Sequence, residues 1–500
     1  SGNIEKESEK IASLTSPEKN NALFKLPKEV VKTLLTTTNQ GESDTQYTIR
    51  KQLIGTTTSS GVTFNAGSGE TFVSHSEKDY TLSILTDGGG AAQGDIVSIA
   101  STLSGAGTSS ITILDATNLP TGTKVKLIAT LLKTSAAHKS KTVNLMKKLA
   151  VNPGDTDAFG TRPTDRTISL GRADAFKLVA VFDSENTSTE VTIPSLTLGT
   201  ITGTFTRGEL ITGSASGATA RIIDVSSPME YVLATTTEFV VGETIAGFSS
   251  TATSTVTALT AGSINVKNNY SLDTGMRDNF YDISRIVRRN NVSSPTGKVI
   301  VIYDYFEHGA GDLMTVDSYV DIADQMTYED IPTYTASKID PDTPSPTGAF
   351  PLYDTYDFRP RVENIAGTST EITTTDEITG NSFDFFHRQY DGTGASMSDV
   401  PKPDSFIQSD FEYYLPYIAN IEVSERGKIS IFRGPAAEVP KPPAVHPSMM
   451  KVAQVFVPAF TFAPQEVQIK RERHQRYTMK DIGEIEKRVQ NVEYLSLIHI

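Results

Sequence analysis

Along most of this chain apolar and polar positions alternate with a period of two, and Gly, Pro, Asn and Asp break the alternation at short intervals. That pattern predicts short antiparallel strands joined by turns. Thr81-Leu82-Ser83-Ile84-Leu85 alternates and stops at Asp87-Gly88-Gly89-Gly90. Ile111-Thr112-Ile113-Leu114 precedes a turn-rich stretch ending at Pro120, and Lys124–Thr130 resumes the period. Two runs are apolar without alternation, Phe176–Phe182 and Gly297–Phe306, and predict buried strands, the second of them central. The first residues differ: Ile4 to Ile11 is charged and predicts a short helix, and Phe24-Lys25-Leu26-Pro27 before Val30, Val31 and Leu34 predicts a turn into a short helix or strand.

Residues 201–260 carry an internal repeat. Phe205, Gly208, Glu209, Ile211, Gly213, Ser216 and Ala218 recur as Phe239, Gly242, Glu243, Ile245, Gly247, Ser250 and Ala252, in a constant register of 34 residues. Two copies are too few for a solenoid, so they predict a small inserted β module whose halves pack on each other. The end of the chain changes period. Thr478-Met479-Lys480-Asp481 is a helix-capping signal, and Ile482, Ile485, Val489 and Val492 follow at spacings of 3, 4 and 3. Such a stripe either packs on its own domain or opens an oligomeric coiled coil.

The expected fold is mainly β: several antiparallel sandwich-like domains, a small inserted repeat module and a C-terminal helix. The segments are 1–46 (partly helical or flexible), 47–200 (antiparallel β), 201–262 (repeat module), 263–400 (aromatic-rich β), 401–476 (β and Pro-rich) and 477–500 (start of the amphipathic helix). Tyr303, Tyr305, Phe306, Tyr319, Phe358 and Tyr413 are expected in the shared core, and Ile482, Ile485, Val489 and Val492 are expected to carry assembly.

Composition narrows the chemistry. Thr is abundant, and its branched Cβ suits a pleated strand while its hydroxyl tolerates water. The 59 acidic residues against 45 basic ones, a net charge of -14, argue against a general nucleic-acid binder. There is no Cys, which removes disulfides, thiolate nucleophiles and Cys-based zinc sites. No apolar stretch reaches membrane-spanning length, so no membrane insertion is expected.

Catalytic motifs fail one by one. No phosphate-binding loop occurs, Gln93 breaks the dinucleotide pattern after Gly88-Gly89-Gly90, and Ala215 stands where a nucleophile elbow needs Ser. Glu307-His308-Gly309-Ala310-Gly311-Asp312 is the best candidate for a metal site or an acid–base pair. The competing reading is a turn in which Gly309 and Gly311 take positive φ and Asp312 bonds the turn backbone. Asp354, Asp357, Arg359 and Arg361 offer two carboxylates and two guanidiniums, or a strand edge with cross-strand ion pairs. The basic run Lys470, Arg471, Arg473, His474 and Arg476 reads as a solvated connector into the helix.

Several of these stretches resemble a known family. Tyr270–Asp282 (YSLDTGMRDNFYD), Tyr303–Asp312 (YDYFEHGAGD), Val316–Tyr319, Tyr328–Pro332 and Asp357–Val362 resemble, in order, signatures of large virion structural proteins of contractile-tailed, T-even-like marine phages, notably cyanophages. Arg476–Gly483 (RYTMKDIG) opens the closing helix as in that family. The resemblance covers about Leu170 to Glu493 clearly and the N-terminal third weakly. It implies a β-rich component of the tail, baseplate or fibre-attachment region, assembled in the bacterial host cytoplasm and resident in the virion. The implied partners are other virion subunits and copies of the chain itself, with no enzyme activity, cofactor or metal. Members are longer at both ends, and Leu495–Ile500 departs from the expected continuation, so the chain is expected to be a fragment. The alternatives are a module binding host-surface glycan through the repeats or the Tyr-rich face, and a virion hydrolase using Glu307, His308, Asp312 or Asp354.

Overall fold

A computed structural model describes residues 4–13, 22–25, 45–76, 78–86, 92–115, 119–134, 136–154, 158–316, 318–319, 331–336, 348–380, 388–390, 400–402, 405–458, 461, 464, 467–473 and 477–498. The chain is mainly β: 46% of the described residues lie in strands that form several antiparallel sheets, and among the described residues there is a single α-helix, at the C-terminal end. It divides into two compact units. One holds most of the chain, Glu7–Glu29 and Thr33–Phe411; the other is built chiefly from Glu412–Ile500.

Ile4–Ser13 is a β-strand, which corrects the helix expected there. So short a charged segment has no apolar face to bury, and without one the cost of nucleating a helix is not recovered. The residues Val30, Val31 and Leu34, expected in a short element, lie outside the described residues.

In the larger unit Gln46–Thr56, Lys124–Lys133 and Tyr80–Thr86 lie side by side and antiparallel. Val125, Leu127, Ala129 and Leu131 are fully buried from one face of the middle strand, as its period of two dictates.

A five-stranded sheet follows, ordered Ile264–Asn265, Ala175–Asp183, Val299–His308, Lys141–Val151 and Thr375–Glu377. Segments 47–200 and 263–400 therefore interleave in one sheet. Val299–His308 is its middle strand and is covered on both faces. Val299, Val301, Tyr303 and Tyr305 pack against Ile168, Leu170, Tyr270 and Ile286 of a three-stranded sheet. Ile302 packs on the other side with Ile223 and Val232 of the repeat module, and Phe306 joins Tyr281, Met314, Val316 and Tyr319.

The repeat module is a closed barrel, because Ser195–Leu198 pairs with both Met229–Leu233 and Thr253–Thr260. Its two halves are joined by exchanged carboxylates. Glu209 of the first repeat accepts from Thr206 N (2.6 Å) and from Ser250 N (3.1 Å) in the second. Glu243 of the second accepts from Val240 N (2.7 Å) and from Ala215 N (3.0 Å) and Ser216 N (2.9 Å) in the first. Burial works against both charges, yet these donors hold both carboxyls below the ordinary Glu value. The repeated glycines make room: a Cβ on Gly213 would lie 2.6 Å from Glu243 Oε2, and one on Gly247 would lie 2.7 Å from Glu209 Oε2.

Glu209→Ala and Glu243→Ala are each expected to cost about 1–3 kcal/mol, since each strands buried N–H donors. Urea unfolding of the two variants should give similar losses; a neutral result at either position would remove the reciprocal-cap account.

Candidate functional site

Side chains alternate along Val299–His308, so Glu307 and His308 leave its end on opposite faces. Glu307 is partly buried and pairs with Arg361 (3.1 Å) and Arg172 (3.4 Å). His308 Nε2 lies 2.7 Å from Asp174 Oδ2 in the interior. Asp312 pairs with Lys133 and accepts from Ala137 N at 2.9 Å. The three residues expected to act together thus serve three separate contacts. The turn differs too: Gly311 has φ +145 but Gly309 lies outside the left-handed region, and Asp312 caps residue 137, not its own turn.

Around His308 the fold buries a connected set of charges that sequence reasoning missed. Lys141, at the start of its strand, donates to Asp174 Oδ2 (2.8 Å) and to Tyr281 Oη (3.2 Å), with both members of the ion pair fully buried. Its ammonium faces the rings of Tyr281 (4.6 Å), Tyr319 (5.1 Å) and Phe306 (5.3 Å). Tyr281 donates to Asp357, and Arg359 Nε and Nη2 grip Asp357 at 2.9 and 2.8 Å. Arg359 also reaches Tyr281 Oη and the Arg277 carbonyl, both at 2.9 Å. Asp357 and Arg359 are therefore a buried pair inside the core, not the strand-edge pairing expected from their spacing; Asp354 lies outside the residues whose side chains are described.

Burial opposes every charge in this set, and the partners decide the outcome. Desolvation would raise Asp174, but the Lys141 ammonium and the His308 hydrogen bond hold it down to about 2. Burial also opposes the Lys141 charge, yet Asp174 keeps it protonated, well above its ordinary value. At His308 burial wins over the Asp174 hydrogen bond, and the imidazole stays neutral down to about 4. Neutral His308 thus donates Nε2–H to the carboxylate.

A second buried set ties down the loop 365–380. Lys147 donates to the carbonyls of Glu371 (2.7 Å), Thr374 (2.9 Å) and Ser369 (3.2 Å) and pairs with Asp376 at 3.0 Å. Arg172 donates to the same Ser369 carbonyl and pairs with Asp376 at 3.3 Å. This loop is exposed over most of its length but is anchored from beneath by these contacts. The sequence signal was present: Lys147 and Lys148 interrupt an apolar strand, as do Arg172 and Asp304. Among the described residues no cluster of three His, Asp or Glu is placed to hold a metal ion.

Of the expected core residues, Tyr303, Tyr305, Phe306, Tyr319 and Phe358 are buried, while the side chain of Tyr413 lies outside the described residues. In the repeats Phe205, Tyr231 and Phe239 fill the barrel, and Phe248 is the ring left exposed.

The smaller unit carries the accessible surface of interest. Its sheet runs Ile429–Arg433, Tyr417–Ser424, Met449–Val457, Gln468–Arg471. Paired residues on antiparallel strands share a face. Ile429 opposite Val423, Ile431 opposite Ile421, and Ile469 opposite Val455, itself opposite Ala419, make the middle of one face apolar, with Arg433 (opposite Ala419) and Arg471 (opposite Ala453) on its two edge strands. On it Ile429 is 66%, Ile431 65% and Ile469 61% exposed. The opposite face is closed by the Pro-rich return: Asn420 donates to the Pro443 carbonyl (2.9 Å), His446 N donates to Glu422 (3.0 Å), and Phe432 stacks on His446.

The helix α1 (Met479–Ile498) starts at a reciprocal cap. Thr478 N donates to Asp481 Oδ2 (2.8 Å), and Asp481 N donates to Thr478 Oγ1 (3.3 Å). No residue of α1 is buried; Ile482, Ile485, Val489 and Val492 are all exposed. Of the basic run before it, Lys470, Arg471 and Arg473 are exposed, and His474 and Arg476 lie outside the described residues. No described helix is long and apolar enough to cross a membrane.

Asp357→Ala should cost about 3–5 kcal/mol in urea unfolding, because it leaves the Arg359 guanidinium buried and unpaired; a loss below that range would place the guanidinium in water. The His308 effect has a defined sign. Between the ordinary value of 6.5 and about 4 the unfolded chain binds a proton that the folded chain refuses, so stability falls as pH drops through that window. His308→Gln keeps a donor to Asp174 without titrating, so the stability gap between wild type and variant should narrow from pH 6.5 to 4; a constant gap would contradict a buried neutral imidazole.

Compared with known proteins, the chain finds no match among curated proteins or solved structures. Residues 339–500, which include the apolar sheet and α1, match a family described as a domain of unknown function (DUF4815).

Proposed function

We propose that this chain is a structural subunit of a tailed bacteriophage particle, in the tail, baseplate or fibre-attachment region, and that it works by protein–protein assembly. The observation that carries the reading is the outer face of the C-terminal sheet, where Ile429, Ile431 and Ile469 meet solvent across a strand-paired apolar surface. A contiguous apolar patch of this kind is costly in water and marks an interaction site. Its occupant is a neighbouring virion subunit. The ordered phage-like signatures from Tyr270 to Gly483 support the particle context. The candidate catalytic groups also fit a mechanical role, because Glu307, His308 and Asp312 are each engaged in separate ion pairs or hydrogen bonds. No exposed cluster of rings on the repeats favours the glycan-binding alternative.

Mass spectrometry of purified particles from the encoding phage should find the chain as a stoichiometric component. An Ile431→Lys/Ile469→Lys variant should fold with wild-type stability yet be lost from particles. Recovery of the chain only from the soluble lysate, or incorporation of the double variant at wild-type level, would overturn the proposal.

A further inference from the structure

We infer that α1 joins three copies of this chain in a parallel coiled coil; this rests on the assembly reading above and names the partner of one of its surfaces. Ile482 and Val489 occupy one core position of the heptad and Ile485 and Val492 the other, on a stripe two positions wide. A stripe that narrow is a coiled-coil seam, not the broader face by which a helix packs on its own domain. The chain itself leaves all four residues exposed.

The side chains select the strand number. All four are β-branched, and branching at both core positions disfavours two strands and favours three. In a pair of helices the second core position points straight at the opposing backbone, a geometry that stiff β-branched rotamers fit poorly. No Asn or Lys interrupts the stripe to specify a dimer.

Charge sets the orientation. Arg488 precedes the core position Val489 and Glu493 follows the core position Val492, so in a parallel assembly Arg488 of one copy meets Glu493 of the next. The like-charged juxtaposition, Asp481 against Glu486, falls on the first turn, where Asp481 is turned back onto Thr478. A lipid surface is a poorer occupant, because Lys480, Lys487 and Arg488 are outnumbered by Asp481, Glu484, Glu486 and Glu493. Intrinsic propensity does not hold this helix either: Gly483 and five β-branched residues all lower it, so packing between copies must supply the difference.

Sedimentation equilibrium of the full 500-residue chain at micromolar concentration should return three times the chain mass. Val489→Asp should return a monomer with an unchanged β-sheet signal in circular dichroism. Ile485→Leu/Val492→Leu should move the population from three copies toward two. A monomeric or dimeric wild type, or a trimer indifferent to Val489→Asp, would overturn the inference. Ile431→Lys/Ile469→Lys should leave the trimer intact, so loss of particle incorporation with a persisting trimer tests the apolar sheet face alone. A trimer that never enters a particle would sink the virion reading and leave the trimer standing.

Discussion

A strand covered on both faces makes every unpartnered polar group costly, and Val299–His308 imposes that condition on the larger unit, where His308 Nδ1 is buried without a hydrogen bond. The strand lies between the three-stranded sheet on one side and the barrel and aromatic cluster on the other. Asp304 and His308 sit on this strand, and Lys141, Lys147 and Lys148 sit on its neighbour. Removing such charges from water costs several kcal/mol per ion unless they are paired and hydrogen-bonded. The fold answers by pairing them, Lys141 with Asp174 and Lys147 and Arg172 with Asp376 across elements, and Arg359 with Asp357 two residues before it. Asp304 shows the residual cost, since burial raises its carboxyl to about 6 although Met146 N donates to it.

These pairs give register more than net stability. An apolar core of similar volume would tolerate small slips, whereas a buried ion pair between distant elements, such as Lys141 with Asp174, has one acceptable arrangement. The barrel uses the same device on a smaller scale, with each repeat's glutamate capping the other repeat's turn. The smaller unit inverts the distribution, with its buried polar groups under the Pro-rich return and its apolar residues facing water.

The sequence by itself determined the β class, the alternation that buries Val125, Leu127, Ala129 and Leu131, the Gly-Glu repeat and the helix beginning at its Thr478 cap. Each of these is a local property, written in neighbouring residues at a period of two, a period near 3.6 or a fixed offset. Tertiary structure decided the rest. Lys141 and Asp174 are 33 residues apart, and Arg172 and Asp376 are 204 apart; no local spacing reveals such pairs, although a Lys or Arg inside an apolar strand signals that a partner must exist. Glu307 and His308 are adjacent in sequence and part company in space because strand alternation sends successive side chains to opposite faces, while Asp312, past the end of the strand, turns to Ala137 N. Ile4–Ser13 became a strand because an isolated charged segment takes its conformation from what it pairs with, and pairing is a fact about the whole fold.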